Sequence, residues 1–276
     1  MTQLIGMFLF RSAVLALILG SSAACAQTNP YADHLHARLL PGWRNADGSH
    51  VAGLELTLAE GWKTYWRSPG EGGIPPQFDW SGSRNLSDLR VVWPRPVVFD
   101  QNGLQSIGYK HRVILPLVVD PGRSGKDVEL QARIDLGICE TVCVPLQIQV
   151  QATLPADQRA RSPQIVSAMA QRPYTGAEAG VTATRCSIAP GRDGSVTVEA
   201  RVSVPPQGRG ETAVVEMADP AIWVTPTKTA RQGGDLVAQV EMTHAGGGVF
   251  AFDRSAVTVT ILTAERAIEI SGCDRS

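Results

Sequence analysis

The 276-residue sequence has no excess of charge of either sign. Its 25 Lys and Arg residues are balanced by 26 Asp and Glu residues, which gives a formal net charge of −1. Proteins that bind nucleic acid or an anionic membrane surface carry a basic patch or a basic excess. The composition therefore provides no electrostatic basis for either kind of partner.

Several catalytic motifs are also missing. The sequence contains no glycine-rich phosphate loop, no G-x-S-x-G elbow and no H-E-x-x-H zinc motif. Residues 70–76 (GEGGIPP) are rich in glycine, but they lack the strand–loop–helix context of a nucleotide site and are predicted to be a rigid loop. No cofactor is expected.

Long hydrophobic runs are confined to the N-terminus. An apolar run at residues 13–19 is followed by an A-x-A cleavage signal at residues 24–26. This pattern predicts a signal peptide over residues 1–26 and export of the mature chain. A retained membrane anchor and a lipid-anchored Cys25 are the alternatives. No later stretch has the ~20 apolar residues of a transmembrane helix, so the mature chain is not expected to span a membrane.

The sequence is dominated by strand-like alternation of apolar and polar residues. Runs of this kind occur at residues 130–136, 146–150, 195–204 and 257–262, and clusters of Gly, Pro, Asp and Asn separate them. No long stretch has the 3.6-residue period of a helix. The pattern predicts an all-β protein made of immunoglobulin-like β-sandwiches.

One short helix is predicted near the middle of the chain. Residues 162–171 begin with a serine cap and a proline in the first turn, contain good helix formers and are followed by Pro173. We therefore predict two sandwiches in tandem, at residues 27–157 and 179–276. A linker with a short helix joins them at residues 158–178.

Four of the five cysteines lie beyond the predicted signal peptide. In an exported protein disulfides are the default interpretation of such a set, and four cysteines allow three pairings. Cys186 and Cys273 open and close the second half. A bridge between them closes a long loop and stabilises the domain by on the order of 4 kcal/mol. We interpret them as a structural disulfide; a free or intermolecular thiol is the alternative.

Cys139 and Cys143 are only four positions apart. In an extended strand their α-carbons would lie about 13 Å apart, whereas a disulfide needs roughly 4.4–6.8 Å. β-branched neighbours and Pro145 argue against a helix, so we expect the chain to turn between them. A disulfide that closes so small a loop stabilises the fold only weakly, which favours a redox-active pair. A structural disulfide, or a metal site shared with His34 and His36, is the alternative.

Glu140 is the charged residue next to Cys139 in the sequence. A carboxylate raises the pKa of a neighbouring thiol, and neither Lys nor His adjoins either cysteine along the chain. We therefore expect the pair to be activated by an incoming partner, with slow exchange otherwise.

Five segments of the first half resemble a known family. They are residues 61–70 (GWKTYWRSPG), 92–94 (VWP), 108–109 (GY), 113–116 (VILP) and 136–150 (LGICETVCVPLQIQV). They are similar to the N-terminal periplasmic domain of the transmembrane thiol reductase DsbD, and more so to the two-domain N-terminal region of the copper-tolerance reductase ScsB. The similarity covers residues 34 to about 155. The second half resembles the companion β-domain of ScsB-like proteins only loosely.

The resemblance implies an immunoglobulin-like fold that carries a redox-active Cys139–Cys143 pair in the periplasm. It assigns exchange with partner proteins to Cys143 and resolution of the mixed disulfide to Cys139. It also implies a loop that caps the pair, which we place at residues 99–108.

Four side chains are expected around the pair on the same basis. Phe99 or Leu104 would shield it, and Trp62 and Tyr65 correspond approximately to two aromatic residues near the family's site.

The resemblance further implies a thiol:disulfide oxidoreductase that passes electrons from a membrane-embedded DsbD- or CcdA-like donor to thioredoxin-like periplasmic proteins. The sequence departs from DsbD in its shorter C-x-x-x-C spacing and in lacking the membrane and thioredoxin-like domains, so a separate membrane partner is expected. The alternative function is a non-catalytic copper-binding or chaperone-like adaptor that uses the cysteine pair with His34 and His36.

Overall fold

The computed structural model describes residues 30–101 and 103–275. The predicted signal peptide, its cleavage site and Cys25 lie outside these residues. Within the described ranges, no helix has the length and apolar character needed to cross a membrane.

The first half folds into two antiparallel sheets that face each other, preceded by a 3-10 turn at Ala32–His34. One sheet has the strand order β1-β2-β8-β5, and the other, the cysteine sheet, has the order β10-β9-β3-β7-β6 with β4 paired to β9. The strands are β1 (Leu35–Arg44), β2 (His50–Leu58), β3 (Lys63–Gly70), β4 (Gln77–Asp79), β5 (Leu86–Val91), β6 (Val97–Gln101), β7 (Leu104–Lys110), β8 (Arg112–Pro121), β9 (Val128–Cys139) and β10 (Cys143–Leu154).

The second half repeats this architecture with sheets of order β11-β19-β18-β14 and β15-β17-β13-β12-β20, where β16 pairs with β17. The predicted fold, all-β with two immunoglobulin-like sandwiches in tandem, is confirmed. The strands are β11 (Tyr174–Thr175), β12 (Ala183–Pro190), β13 (Val196–Ser203), β14 (Thr212–Met217), β15 (Ile222–Val224), β16 (Lys228–Gln232), β17 (Asp235–His244), β18 (Val257–Leu262), β19 (Ala267–Ser271) and β20 (Asp274–Arg275).

The predicted helix between the sandwiches is present as α1 (Pro163–Met169). Its proline lies in the first turn, where a missing N–H costs nothing. Ile165 and Ala168 are buried against Trp43 and Ile114, on the outside of the β1-β2-β8-β5 sheet. The segment between the sandwiches is thus docked on the first one. β11 lies within the predicted linker but pairs in parallel with β19.

The two sandwiches contact each other through β3. The guanidinium of Arg67 donates to both carboxylate oxygens of Glu216, at 3.0 and 2.9 Å, and to Glu269 at 2.6 Å. Both glutamates belong to the second sandwich. Three of its apolar residues also join the core of the first sandwich, namely Val214, Leu262 and Ala267. The second sandwich therefore packs directly on the strand that runs past the cysteines.

β3 and β9 each have one face in the core and one face turned away from it. Trp66 and Ile138 are completely buried in the core. Because side chains alternate along a strand, Lys63, Tyr65 and Cys139 lie on the opposite side of the sheet. We call this side the outer face of the cysteine sheet.

Candidate redox-active disulfide site

The two cysteines lie at the end of the β9–β10 hairpin. Cys139 is the last residue of β9, and Cys143 is the first residue of β10, directly opposite it in the register. Their sulfur atoms are bonded and their α-carbons are 4.2 Å apart. Residues 140–142 form the turn between them. This reversal is how two residues four positions apart meet in a β structure.

The two sulfur-bearing residues differ in their exposure. Cys139 is only 2% exposed because β3 pairs with β9 at this point, whereas Cys143 is exposed on β10, the edge strand of its sheet. Val142, at the tip of the turn, is 63% exposed. A partner protein can therefore reach the sulfur of Cys143 while that of Cys139 is shielded.

Tyr65 extends along the outer face to Cys143. Its hydroxyl oxygen is 2.9 Å from Cys143 Sγ. The ring lies between two glycines: a Cβ atom on Gly137 would be 3.1 Å from ring carbon Cδ2, and one on Gly73 would be 2.7 Å from Cδ1. The absence of side chains at these two positions makes room for the ring and so directs the hydroxyl at the disulfide.

Burial raises the pKa of the Tyr65 phenol. The hydroxyl therefore stays protonated through the pH range in which thiols titrate. A disulfide sulfur carries no hydrogen, so Tyr65 donates and Cys143 Sγ accepts. After reduction the same hydroxyl is placed to donate to the thiolate of Cys143, and a hydrogen bond to the charged form lowers the pKa of a thiol.

The Tyr65→Phe substitution is expected to raise the pKa of the Cys143 thiol by about half a unit to one unit, because only the hydroxyl is lost. The rate of alkylation of the reduced protein by iodoacetamide at pH 7 should fall by about three- to tenfold, since the thiolate is the reactive form. The pH dependence of alkylation measures this pKa. An unchanged pH profile would mean that the hydrogen bond contributes nothing to thiolate stability.

The segment that lies against Cys143 is residues 70–76. Gly70, at φ +77°, turns the chain out of β3, and the carbonyl oxygen of Gly72 lies 3.8 Å from Cys143 Sγ. Ile74 covers Gly137, where an added Cβ would meet the Cβ of Ile74 at 2.7 Å. The sequence predicted a loop here but did not indicate that it adjoins the cysteines.

The predicted cap at residues 99–108 falls on β6 and β7, which pair antiparallel as a hairpin. Phe99 is 7% exposed and Leu104 is 54% exposed. This hairpin also holds the 70–76 segment, because the backbone N–H of Glu71 donates to the carbonyl of Gln105 at 3.0 Å. A shielding role for Phe99 or Leu104 stays a prediction.

Trp62 lies just before β3, is 8% exposed and belongs to the core of the first sandwich. It stacks on His34, with the ring centroids 4.3 Å apart. His34 lies in the 3-10 turn before β1, whereas His36 lies in β1, so the two histidines do not lie on one strand. In the described part of the chain, no group of three or more His, Cys, Asp or Glu side chains is arranged to hold a metal ion.

Lys63 is the site residue that the sequence did not indicate. It lies directly opposite Cys139 in the β3–β9 register and is 4% exposed. The two residues are 76 positions apart in the chain, whereas the charged residue next to Cys139 in the sequence is Glu140. Strand pairing between β3 and β9 was the missing information.

Cys186 and Cys273 form the second disulfide, with α-carbons 5.7 Å apart and a sequence separation of 87. Cys186 is completely buried in the core of the second sandwich. The bond connects β12 to the loop before β20, which itself pairs in parallel with β12. It therefore ties the beginning of the second sandwich to its end.

Comparison with known proteins shows what this chain is similar to. Residues 36–155 match the family described as thiol:disulfide interchange protein DsbD, N-terminal. The fold is similar to the crystal structure of the N-terminal periplasmic domain of ScsB from Proteus mirabilis. The TM-score is 0.62 at 24% identity, over 90% of this chain and 97% of that one. No curated protein matches. The predicted resemblance is confirmed: over residues 36–155 this chain is similar to the N-terminal domain of DsbD.

Proposed function

We propose that this protein is a periplasmic thiol–disulfide exchange protein whose Cys139–Cys143 pair cycles between dithiol and disulfide. It receives reducing equivalents from a membrane-embedded DsbD- or CcdA-like donor and passes them to periplasmic substrate proteins of the thioredoxin type. The similarity of residues 36–155 to the DsbD N-terminal family supports this reaction class. Export by the predicted signal peptide 1–26 is part of the same proposal.

The difference in exposure between the two cysteines is the observation that carries the proposal. Thiol–disulfide exchange begins when a thiolate attacks one sulfur of a disulfide, and the rate depends on access to that sulfur. Cys143 is exposed at a sheet edge and Cys139 is 2% exposed. Cys143 is therefore the residue that exchanges with partners, and Cys139 resolves the mixed disulfide.

In both the loading step and the delivery step, each disulfide bond that breaks is matched by one that forms. In the loading step the donor's thiolate attacks Cys143 Sγ, forms a mixed disulfide and releases Cys139 as a thiolate; the donor's second thiolate then releases Cys143. In the delivery step the thiolate of Cys143 attacks a substrate disulfide and releases one substrate thiolate. Cys139 then attacks Cys143 Sγ, frees the substrate's other sulfur and closes the disulfide. Each cycle transfers two electrons.

Trapping of partners tests the role of each cysteine. The Cys139→Ala variant keeps the exposed thiol of Cys143 and lacks the resolving thiol, so it should accumulate mixed disulfides with proteins in a periplasmic extract. These adducts appear as high-mass bands on a non-reducing gel and disappear with dithiothreitol. The Cys143→Ala variant, which keeps only the buried thiol, should form few of them.

Redox titration of the wild-type protein in glutathione buffers is the companion experiment. A reversible midpoint for Cys139–Cys143 is expected, while Cys186–Cys273 stays oxidised in the core of the second sandwich. Capture by Cys143→Ala instead of Cys139→Ala would reverse the roles. The absence of a reversible midpoint would overturn the proposed function.

We further propose that the second sandwich orients the redox domain. The contacts of Arg67 with Glu216 and Glu269 support this, because Arg67 lies on β3, two residues beyond Tyr65. Burial lowers the pKa of Arg67, but the hydrogen bonds and charges of these two carboxylates outweigh it and leave the pKa above its ordinary value. The ionic contact is therefore present at every pH at which the glutamates are charged.

A further inference from the structure

Lys63 and Cys139 face each other across the β3–β9 pair. They are direct register partners, and such partners share one face of the sheet with Cβ atoms about 4.5–5.5 Å apart. Lys63 is 4% exposed and Cys139 is 2% exposed. The pair therefore lies in a region of low effective dielectric, where a charge interaction is stronger than it is at the surface.

The ammonium group of Lys63 is held on the outer face by defined contacts. Its Nζ donates to the hydroxyl oxygen of Ser106 at 3.2 Å. It also lies 4.9 Å from the centre of the Phe99 ring, and Nζ of Lys110 lies at the same distance. Ser106 lies on β7 and Phe99 on β6, so these contacts hold the cation on the outer face of the sheet that also carries Cys139.

We propose that Lys63 is a positioning residue for the exchange reaction, whose ammonium group stabilises the thiolate of Cys139. The inference rests on the proposed function. Cys139 becomes a thiolate twice in the cycle: it leaves when a donor's thiolate attacks Cys143, and it attacks Cys143 when the substrate is released. A leaving thiol of lower pKa departs faster, and burial alone would raise the pKa of the Cys139 thiol.

Other charged and polar groups around Cys139 act in both directions. Glu140, in the turn, disfavours a thiolate at Cys139, while the hydroxyl of Tyr65 donates to the sulfur of Cys143 and not to that of Cys139. Lys110 lies one strand farther away, opposite Lys63 on β7. Burial, and secondarily Lys110, lower the pKa of Lys63. A thiolate at Cys139 favours the charged form of the lysine, so the two groups stabilise each other.

The test measures the pKa of Cys139 alone. In a Cys143→Ser background with Cys186–Cys273 intact, thiolate absorbance near 240 nm is followed against pH with Lys63 present and after Lys63→Met. The pKa of the Cys139 thiol is expected to rise by about one unit. With both cysteines present, Lys63→Met should also slow reduction of the disulfide by dithiothreitol several-fold. Lys63→Arg should restore both values.

Lys110→Met is the matched control, because Lys110 has the same distance to Phe99 but no register contact with Cys139. It should shift the pKa of Cys139 by less than half as much. An unchanged pKa after Lys63→Met, or an equal shift after Lys110→Met, would overturn the assignment. If Lys63→Met does not fold, Lys63→Gln supplies the neutral variant. Redox titration of the wild type is independent of these variants. A negative result for Lys63 therefore does not contradict the proposed function.

Discussion

Removal of the Cys186–Cys273 bond by double alanine substitution is expected to lower the free energy of unfolding by about 4 kcal/mol, because the bond closes a long loop in the unfolded chain. The same substitution of Cys139 and Cys143 should cost only about 2 kcal/mol. The sequence separations of the two bonds are 87 and 4. Guanidinium unfolding of the oxidised wild type and of both double variants gives the comparison.

The two double variants serve as controls for each other in function as well as in stability. Loss of the long-range bond should leave disulfide exchange at Cys143 intact under conditions in which the protein stays folded, whereas loss of the Cys139–Cys143 bond should abolish it. If the hairpin bond proved to be the larger contributor to stability, its interpretation as a redox pair would lose its energetic support.

Gly108→Ala is expected to destabilise the first sandwich by about 3 kcal/mol or more, at the upper end of what overpacking costs. A Cβ atom at this position would lie 1.9 Å from the carbonyl oxygen of Thr64 and 2.9 Å from the α-carbon of Tyr65. Both are backbone atoms, so no rotamer change can relieve the clash. β7 must move away from β3, which carries Tyr65 to the disulfide.

Two measurements follow from this clash. Thermal or guanidinium unfolding gives the loss of stability, and alkylation of reduced Cys143 should slow, as is expected for Tyr65→Phe. Gly234→Ala is the control, since no heavy atom lies within 4 Å of a Cβ there; it should change stability little. A Gly108→Ala variant as stable as the wild type would show that β3 and β7 separate without cost.

The fold class followed from local pattern. Period-two alternation depends only on which side chains face a core, so runs such as residues 130–136 and 257–262 indicated strands without knowledge of their partners. The short helix followed from a proline and a serine at its start. The turn between Cys139 and Cys143 followed from the length of an extended chain.

The arrangement of the site depended on strand pairing, which local pattern does not determine. The sequence by itself predicted two sandwiches, a turn between Cys139 and Cys143, and through family resemblance the importance of that pair. Only the tertiary structure placed Lys63 opposite Cys139 and seated the Tyr65 ring between Gly73 and Gly137. The physical reason is that such contacts join residues of distant strands, whose register is set by the packing of the whole sandwich.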